Sequence, residues 1–419
     1  MAPAWTRSVR WRTAGAVLVL CFACAGIAPA GAVDWQVLYR LSETLRVSDN
    51  IQLRAEAKGP GFSSNTSSGL DIAALTPTAE WRTSGNVGHL IYFGEGIPEE
   101  RERTTYSARS SLLKRTIRTD FNVNAHFSMA PATTTVFAGP VPIDPVVTDP
   151  LPEDPLVIDP ELTDLELEVL NLDRISYGAS AGFAHRWSRI DNLIASVSAD
   201  RVDFTENVSS VTPHTSVVLS AAWTRLLTRR LDGRVIASVN YFNDESDSDL
   251  QRLLYNAALG AAFRASPRLT VNANAGVSVI DQRRNATPTV AEQSDVTLGF
   301  EGLLSLSYTP RRDTIITFSL SQHTSPDNLG GLRSGQAASA AVGYQLNELS
   351  SLNLSGTFSN SSATGEDGES TQAWSLSPSY THALSRQWNL ALSYQWRKTD
   401  ATVSNSAFLT LSHNGAILP

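Results

Sequence analysis

Cysteine is nearly absent. The 419-residue chain holds 2, Cys21 and Cys24, and both fall in a leader-like N-terminal segment. From Val33 onward no thiol remains, so neither disulfides nor thiolate metal centres stabilise the rest of the chain. Charged residues are sparse, at 18%, and no apolar run of about 18 residues follows the leader, which excludes a transmembrane helix. A basic excess is missing as well. With Arg7, Arg10 and Arg12 of the leader set aside, 30 basic residues face 41 acidic ones, which excludes a nucleic-acid partner. No metal-ligand spacing, phosphate-cradling loop or nucleotide motif occurs, and no cofactor is expected.

The leader itself is well marked. Three arginines precede the apolar run AGAVLVLCFACAGI at 14–27, and Ala30-Gly31-Ala32 offers a small-x-small cleavage site. This pattern predicts a secretory signal peptide over 1–32 and a single structural unit over 33–419. Lipid attachment at Cys24 is the rival reading, but CFAC lacks the usual Leu-small-small lead-in.

What the mature chain does contain is alternation. In WQVLYRLSETLRV, Trp35, Val37, Tyr39, Leu41, Leu45 and Val47 share one parity. The same holds for Phe121, Val123, Ala125, Phe127 and Met129, and for Leu269, Val271, Ala273, Ala275, Val277 and Val279. In WSLSPSYTHALSRQWNLALSYQW (374–396), Trp, Leu and Tyr occupy even positions and mostly Ser, Asn and Gln lie between them. A period of two puts one face in an apolar medium and the other in a polar one. These strands run to roughly 9–14 residues, longer than the usual five or six.

The connections alternate too. Short turns are expected at TSGN (83–86), KRTIR (114–118), SRID (188–191), TRRLDG (228–233), SPR (266–268), PRRD (310–313), NELS (347–350) and SRQ (385–387). Longer loops separate them, among them 49–68, 95–103 and the Pro/Asp-rich stretch 131–173. Eight turns interleaved with nine loops predict an all-β, up-and-down antiparallel transmembrane β-barrel of about 18 strands (16–18). In hydrocarbon only a closed sheet satisfies every backbone group internally, so outer-membrane lipid and the outer-membrane assembly machinery are the expected partners. Two features sit awkwardly with this plan. Pro77 and Pro378 fall inside expected strands, where proline removes a ladder donor. The last stretch, AFLTLSHNGAILP, has its final aromatic, Phe408, well upstream of Pro419, which leaves the end of the last strand open.

LSETLRVSDNIQL (41–53), with its Asp49-Asn50 pair after an alternating strand, resembles the opening of porin-like barrels associated with exopolysaccharide and exosortase systems. The resemblance implies an outer-membrane barrel and says little about cargo.

Candidate functional residues follow from the polar parity. Arg40, Thr44, Arg46, Asn122, Asn124, His126, Asn272, Asn274, Asn353, Ser355 and Thr357 are expected on the lumen face, a lining suited to water, polar small solutes or polysaccharide. Asp144, Asp149, Asp154, Asp159 and Asp164 recur every five residues in a Pro-punctuated acidic stretch. That stretch is read as a solvated extracellular loop, a cation-favouring loop in the lumen, or a calcium ligand lacking the usual loop glycine. His126/Ser128 and His214/Ser216 each place His and Ser on one strand face, but no acid or Asn is tied to either pair by sequence, and catalysis is not expected. The sequence therefore predicts a passive channel or export conduit for polar, saccharide-like cargo. A surface structural or adhesive barrel with an acidic partner-binding loop is the alternative, and an outer-membrane lipid hydrolase is third.

Overall fold

The computed structural model describes residues 33–53, 57, 59–95, 97, 101–136, 165–205, 213–244, 250–284, 293–326, 332–363 and 370–418. The leader and the five recurring aspartates, Asp144 to Asp164, lie outside them. Eighteen strands follow one another: β1 (Asp34–Ser48), β2 (Gly61–Leu75), β3 (Ala79–Gly94), β4 (Glu102–Arg115), β5 (Thr119–Val136), β6 (Leu165–Arg186), β7 (Asp191–Phe204), β8 (His214–Thr228) and β9 (Leu231–Asp244). The second half contains β10 (Leu250–Ser266), β11 (Leu269–Arg284), β12 (Gln293–Arg311), β13 (Thr314–Pro326), β14 (Leu332–Asn347), β15 (Ser350–Ala363), β16 (Ser370–Ala383), β17 (Trp388–Thr399) and β18 (Val403–Leu418). Each pairs antiparallel with the next, and β1 pairs with β18. The sheet is closed, so the last strand is a full strand despite its unusual end.

The exterior is apolar and the interior polar. Trp35, Leu41 and Leu45 on β1 are exposed on the outward face, as are Trp374, Leu376, Leu392 and Tyr394 on β16 and β17. With no core behind it, this apolar surface requires lipid as its solvent, and a closed ladder satisfies the backbone within it. The chain is an outer-membrane barrel. Its aromatic edge is visible where Trp35 meets Trp81 at 6.1 Å and Trp388 meets His413 at 4.6 Å.

Short turns gather on one rim, the periplasmic one by outer-membrane convention, and hydroxyls build them. Thr76 Oγ1 accepts from Ala79 N at 2.9 Å, and Thr116 Oγ1 accepts from Thr119 N at 2.9 Å. Ser188, Thr228, Ser266 and Ser385 likewise bond backbone N–H groups two or three residues on. Such side chains stand in for backbone acceptors in tight turns.

Three expected connections differ. TSGN lies inside β3, and the turn is Thr76–Thr78, with Pro77 in it where no ladder donor is needed. Gly85 and Asn86 look like turn residues, but here they are ordinary rungs, paired with Leu70 and Gly69. The expected loop 49–68 ends at Pro60, because GFSSNTSS is the start of β2. Beyond Phe62 that segment is polar on both parities, which hides a strand from a hydrophobic reading. The 131–173 stretch also contracts: β5 runs to Val136 and β6 starts at Leu165, with register shifts beside Pro131 and Thr134.

Pro378 stays within β16 and produces no bulge. Its ladder with β17 runs from Leu376↔Trp396 directly to Ser379↔Ser393, so two rungs are omitted and register is kept. Pro378→Ala is expected to raise stability by about 1 kcal/mol, since a regained donor is worth that much. Urea unfolding in lipid vesicles would show it, and an unchanged or lower midpoint would contradict it.

Candidate functional site

Strand pairing places Arg40, Arg46, Asn122, Asn124, Asn272 and Asn274 on the inward face. Their surroundings divide them sharply. Most are fastened to the wall. Asn124 Nδ2 donates to Ser180 Oγ at 3.3 Å, and Asn272 Nδ2 donates to Ser305 Oγ at 3.3 Å. Arg46 donates to Ser406 Oγ at 3.2 Å and lies over the Phe408 ring, 5.3 Å from its centre. Phe408 thus points inward and serves the seam between first and last strands.

Asn122 and Asn274 lie flat for another reason. Each faces a glycine on the adjacent strand. A Cβ on Gly182 would stand 2.5 Å from Asn122 Oδ1, and one on Gly260 would stand 2.1 Å from Asn274 Oδ1. The missing side chain is the space the amide occupies. Gly178 does the same for a His–Asp pair: a Cβ there would meet Asp200 at 2.1 Å and His126 at 2.8 Å. His126 on β5 and Asp200 on β7 therefore reach across β6, with Nε2 3.5 Å from Oδ1. Sequence reasoning has no access to this acid, since only the ladder brings residues 126 and 200 together.

Hydroxyl pairs complete the lining. Ser42–Ser67, Ser128–Ser176, Ser196–Ser220 and Thr357–Ser375 bond across adjacent strands at 2.6–2.7 Å. Ser128 is thus engaged with Ser176, while the buried His214 stacks on Phe242 at 5.1 Å. Polar atoms are held against the wall, and the bore is left to solvent.

Arg40, Arg82 and Arg109 behave differently. They stand exposed in the periplasmic half around a recess of about 310 Å³, which Asp71, Ser84 and Ser111 also line. Arg40 donates to Asp71 at 3.0 Å with its side chain 63% exposed, and Arg82 contacts Glu80. Arg82 and Arg109 are not singled out by the sequence reading, although inward parity on β3 and β4 marks them. Toward the extracellular ends the wall changes character. Inward Arg103, Phe242, Leu254 and Ile280 are buried, and Arg252 is 1% exposed, bonded to Gln282 at 3.3 Å and set 5.8 Å from the Phe242 ring centre. Inward side chains therefore stand exposed around this recess and are buried toward the extracellular ends.

No family model and no curated protein sequence matches the chain. Among solved structures it is similar to a BenF-like porin from Pseudomonas fluorescens Pf-5, at 10% identity over 92% of this chain and 99% of that one, with a TM-score of 0.47. It is also similar to OccAB4 of Acinetobacter baumannii, at 10% identity over 93% and 100%, TM-score 0.46. The outer membrane protein OpdK of Pseudomonas aeruginosa gives 11% identity over 91% and 99%, TM-score 0.46.

Proposed function

We propose that this barrel is a passive channel for small polar solutes, with an arginine-lined inner vestibule that favours anions. The observation that carries the reading is the contrast within the lumen. Amides, hydroxyls and the His126–Asp200 pair are laid against the wall, while Arg40, Arg82 and Arg109 stand in solvent. A wall that tidies its polar groups away from the bore suits permeation, and exposed guanidiniums in a confined lumen raise the local anion concentration. Saccharide cargo fits the same hydroxyl and amide lining. Planar-bilayer recording of the purified barrel tests the channel, and sugar-induced current block tests the saccharide.

The wall, in this reading, sets the sign of the selectivity. Deleting residues 140–168 removes Asp144, Asp149, Asp154, Asp159 and Asp164 and is expected to leave the anion preference in place. Reversal potentials in a salt gradient measure this. A channel that is cation-preferring before the deletion and loses that preference after it would assign selectivity to the acidic segment instead. The same acids are the basis of the adhesive alternative, in which the folded barrel would pass no current.

A further inference from the structure

The lipid-facing side carries a discordant patch on β1–β3. Glu43 on β1 is outward by parity, between Leu41 and Leu45. Its carboxylate accepts from Ser64 Oγ and Thr66 Oγ1, both at 2.5 Å. Thr66 pairs across to His89 on β3, which is outward and exposed. One rung therefore reads Glu43–Thr66–His89 across three strands, flanked by outward Ser64 and Ser68.

This row lies within the apolar belt. It stands eight residues above the row of Trp35 and Trp81, and four below that of Val47, Phe62 and Phe93. At ~2.5 Å of height per residue in a tilted strand these are about 20 Å and 10 Å, against a belt of about 25 Å. Elsewhere on the outward face of the described residues, Arg201 is paired with Asp203 at 3.2 Å, and His413 is packed between Tyr39 and Trp388. A carboxylate and an imidazole facing hydrocarbon are costly, and intramembrane ionisable groups normally face protein.

We propose that two copies of this chain pair through the outward face of β1–β3. The patch is self-complementary, which selects a second copy as its cover. A two-fold axis along the membrane normal, passing by Thr66 and Ser68 on β2, sets β1 of one copy against β3 of the other. Glu43 then meets His89 of the partner subunit, and His89 meets Glu43 of the partner subunit. Both groups leave lipid, and the apolar rows above and below close the contact. This pairing requires the outer-membrane barrel but not its channel activity.

No cysteine occurs from Val33 onward, so one engineered thiol in the barrel gives a clean test. Ser68→Cys lies beside the axis and keeps both hydroxyl partners of Glu43. Upon mild oxidation of the barrel in lipid vesicles it is expected to give a disulfide-linked dimer, whereas Leu259→Cys, outward on β10, remains monomeric. Adding Glu43→Lys is expected to cut the crosslinked fraction roughly tenfold by opposing like charges. The exchange Glu43→His with His89→Glu restores it, because the pair is preserved. Heat-modifiable electrophoretic mobility confirms that each variant is folded. Equal crosslinking at positions 68 and 259, indifference to Glu43→Lys, or a monomer with lipid bound at the patch overturns the proposal.

Discussion

Gly415→Leu is expected to prevent closure of the barrel. Gly415 lies on the outward face of β18, and a Cβ there would fall 2.3 Å from a Tyr39 ring carbon and 2.5 Å from its hydroxyl. The ring cannot simply step aside, because His413 packs against it at 5.5 Å and Trp388 packs against His413 at 4.6 Å. Tyr39 and Gly415 are also a directly opposed rung in the β1–β18 ladder. That ladder is the pairing between the first and last strands, and it turns an open sheet into a barrel. An open sheet would leave two strand edges in hydrocarbon, at several kcal/mol for each unsatisfied backbone group. The expected result is loss of most of the compact, heat-modifiable species on electrophoresis. Tyr39→Ala alone should cost only about 1–2 kcal/mol, the order of one partly buried aromatic contact. Combined with Gly415→Leu it makes room for the new side chain and should recover the folded band. A single Gly415→Leu variant folding like the parent would show that the seam does not depend on this fit.

Combined replacement of Arg40, Arg82 and Arg109 by glutamate is expected to turn an anion-preferring channel into a cation-preferring one. All three border the same recess and are exposed to the bore. Their charge is only partly offset by Asp71 and Glu80. Three positive charges become three negative ones within one vestibule, and low-dielectric walls focus the field there. Arg46 is the control. It is tied to Ser406 and packed on Phe408, so Arg46→Gln should shift selectivity little while weakening the closing seam. Reversal potentials under a salt gradient distinguish the two. A triple variant that keeps its anion preference would remove the vestibule from the account.

Much of the fold was legible because alternation is a local signal. In 374–396 the even-numbered Trp, Leu and Tyr face outward, and SRQ lies in the turn Leu384–Gln387. The failures arose where residue type and position disagree. TSGN has turn chemistry but sits mid-strand, held by rungs to β2 that no single segment reveals. GFSSNTSS lacks an apolar face because its outward hydroxyls serve Glu43. Pro378 was tolerable without a bulge because a strand can omit two rungs and keep register. The wall was legible only in part. Parity places Asn122 and Asn274 inward, but their flat seating depends on Gly182 and Gly260, each distant in sequence and one strand away in space. The His126–Asp200 contact is hidden for the same reason. The five acidic repeats were conspicuous in sequence and lie outside the described residues.

The central claim is that this closed barrel conducts. Recording from the purified, heat-modifiable barrel in a planar bilayer, with a salt gradient across it, addresses that claim most directly. Discrete current steps with a reversal potential on the anion side are the predicted result. A folded barrel that inserts and yet passes no current would contradict it.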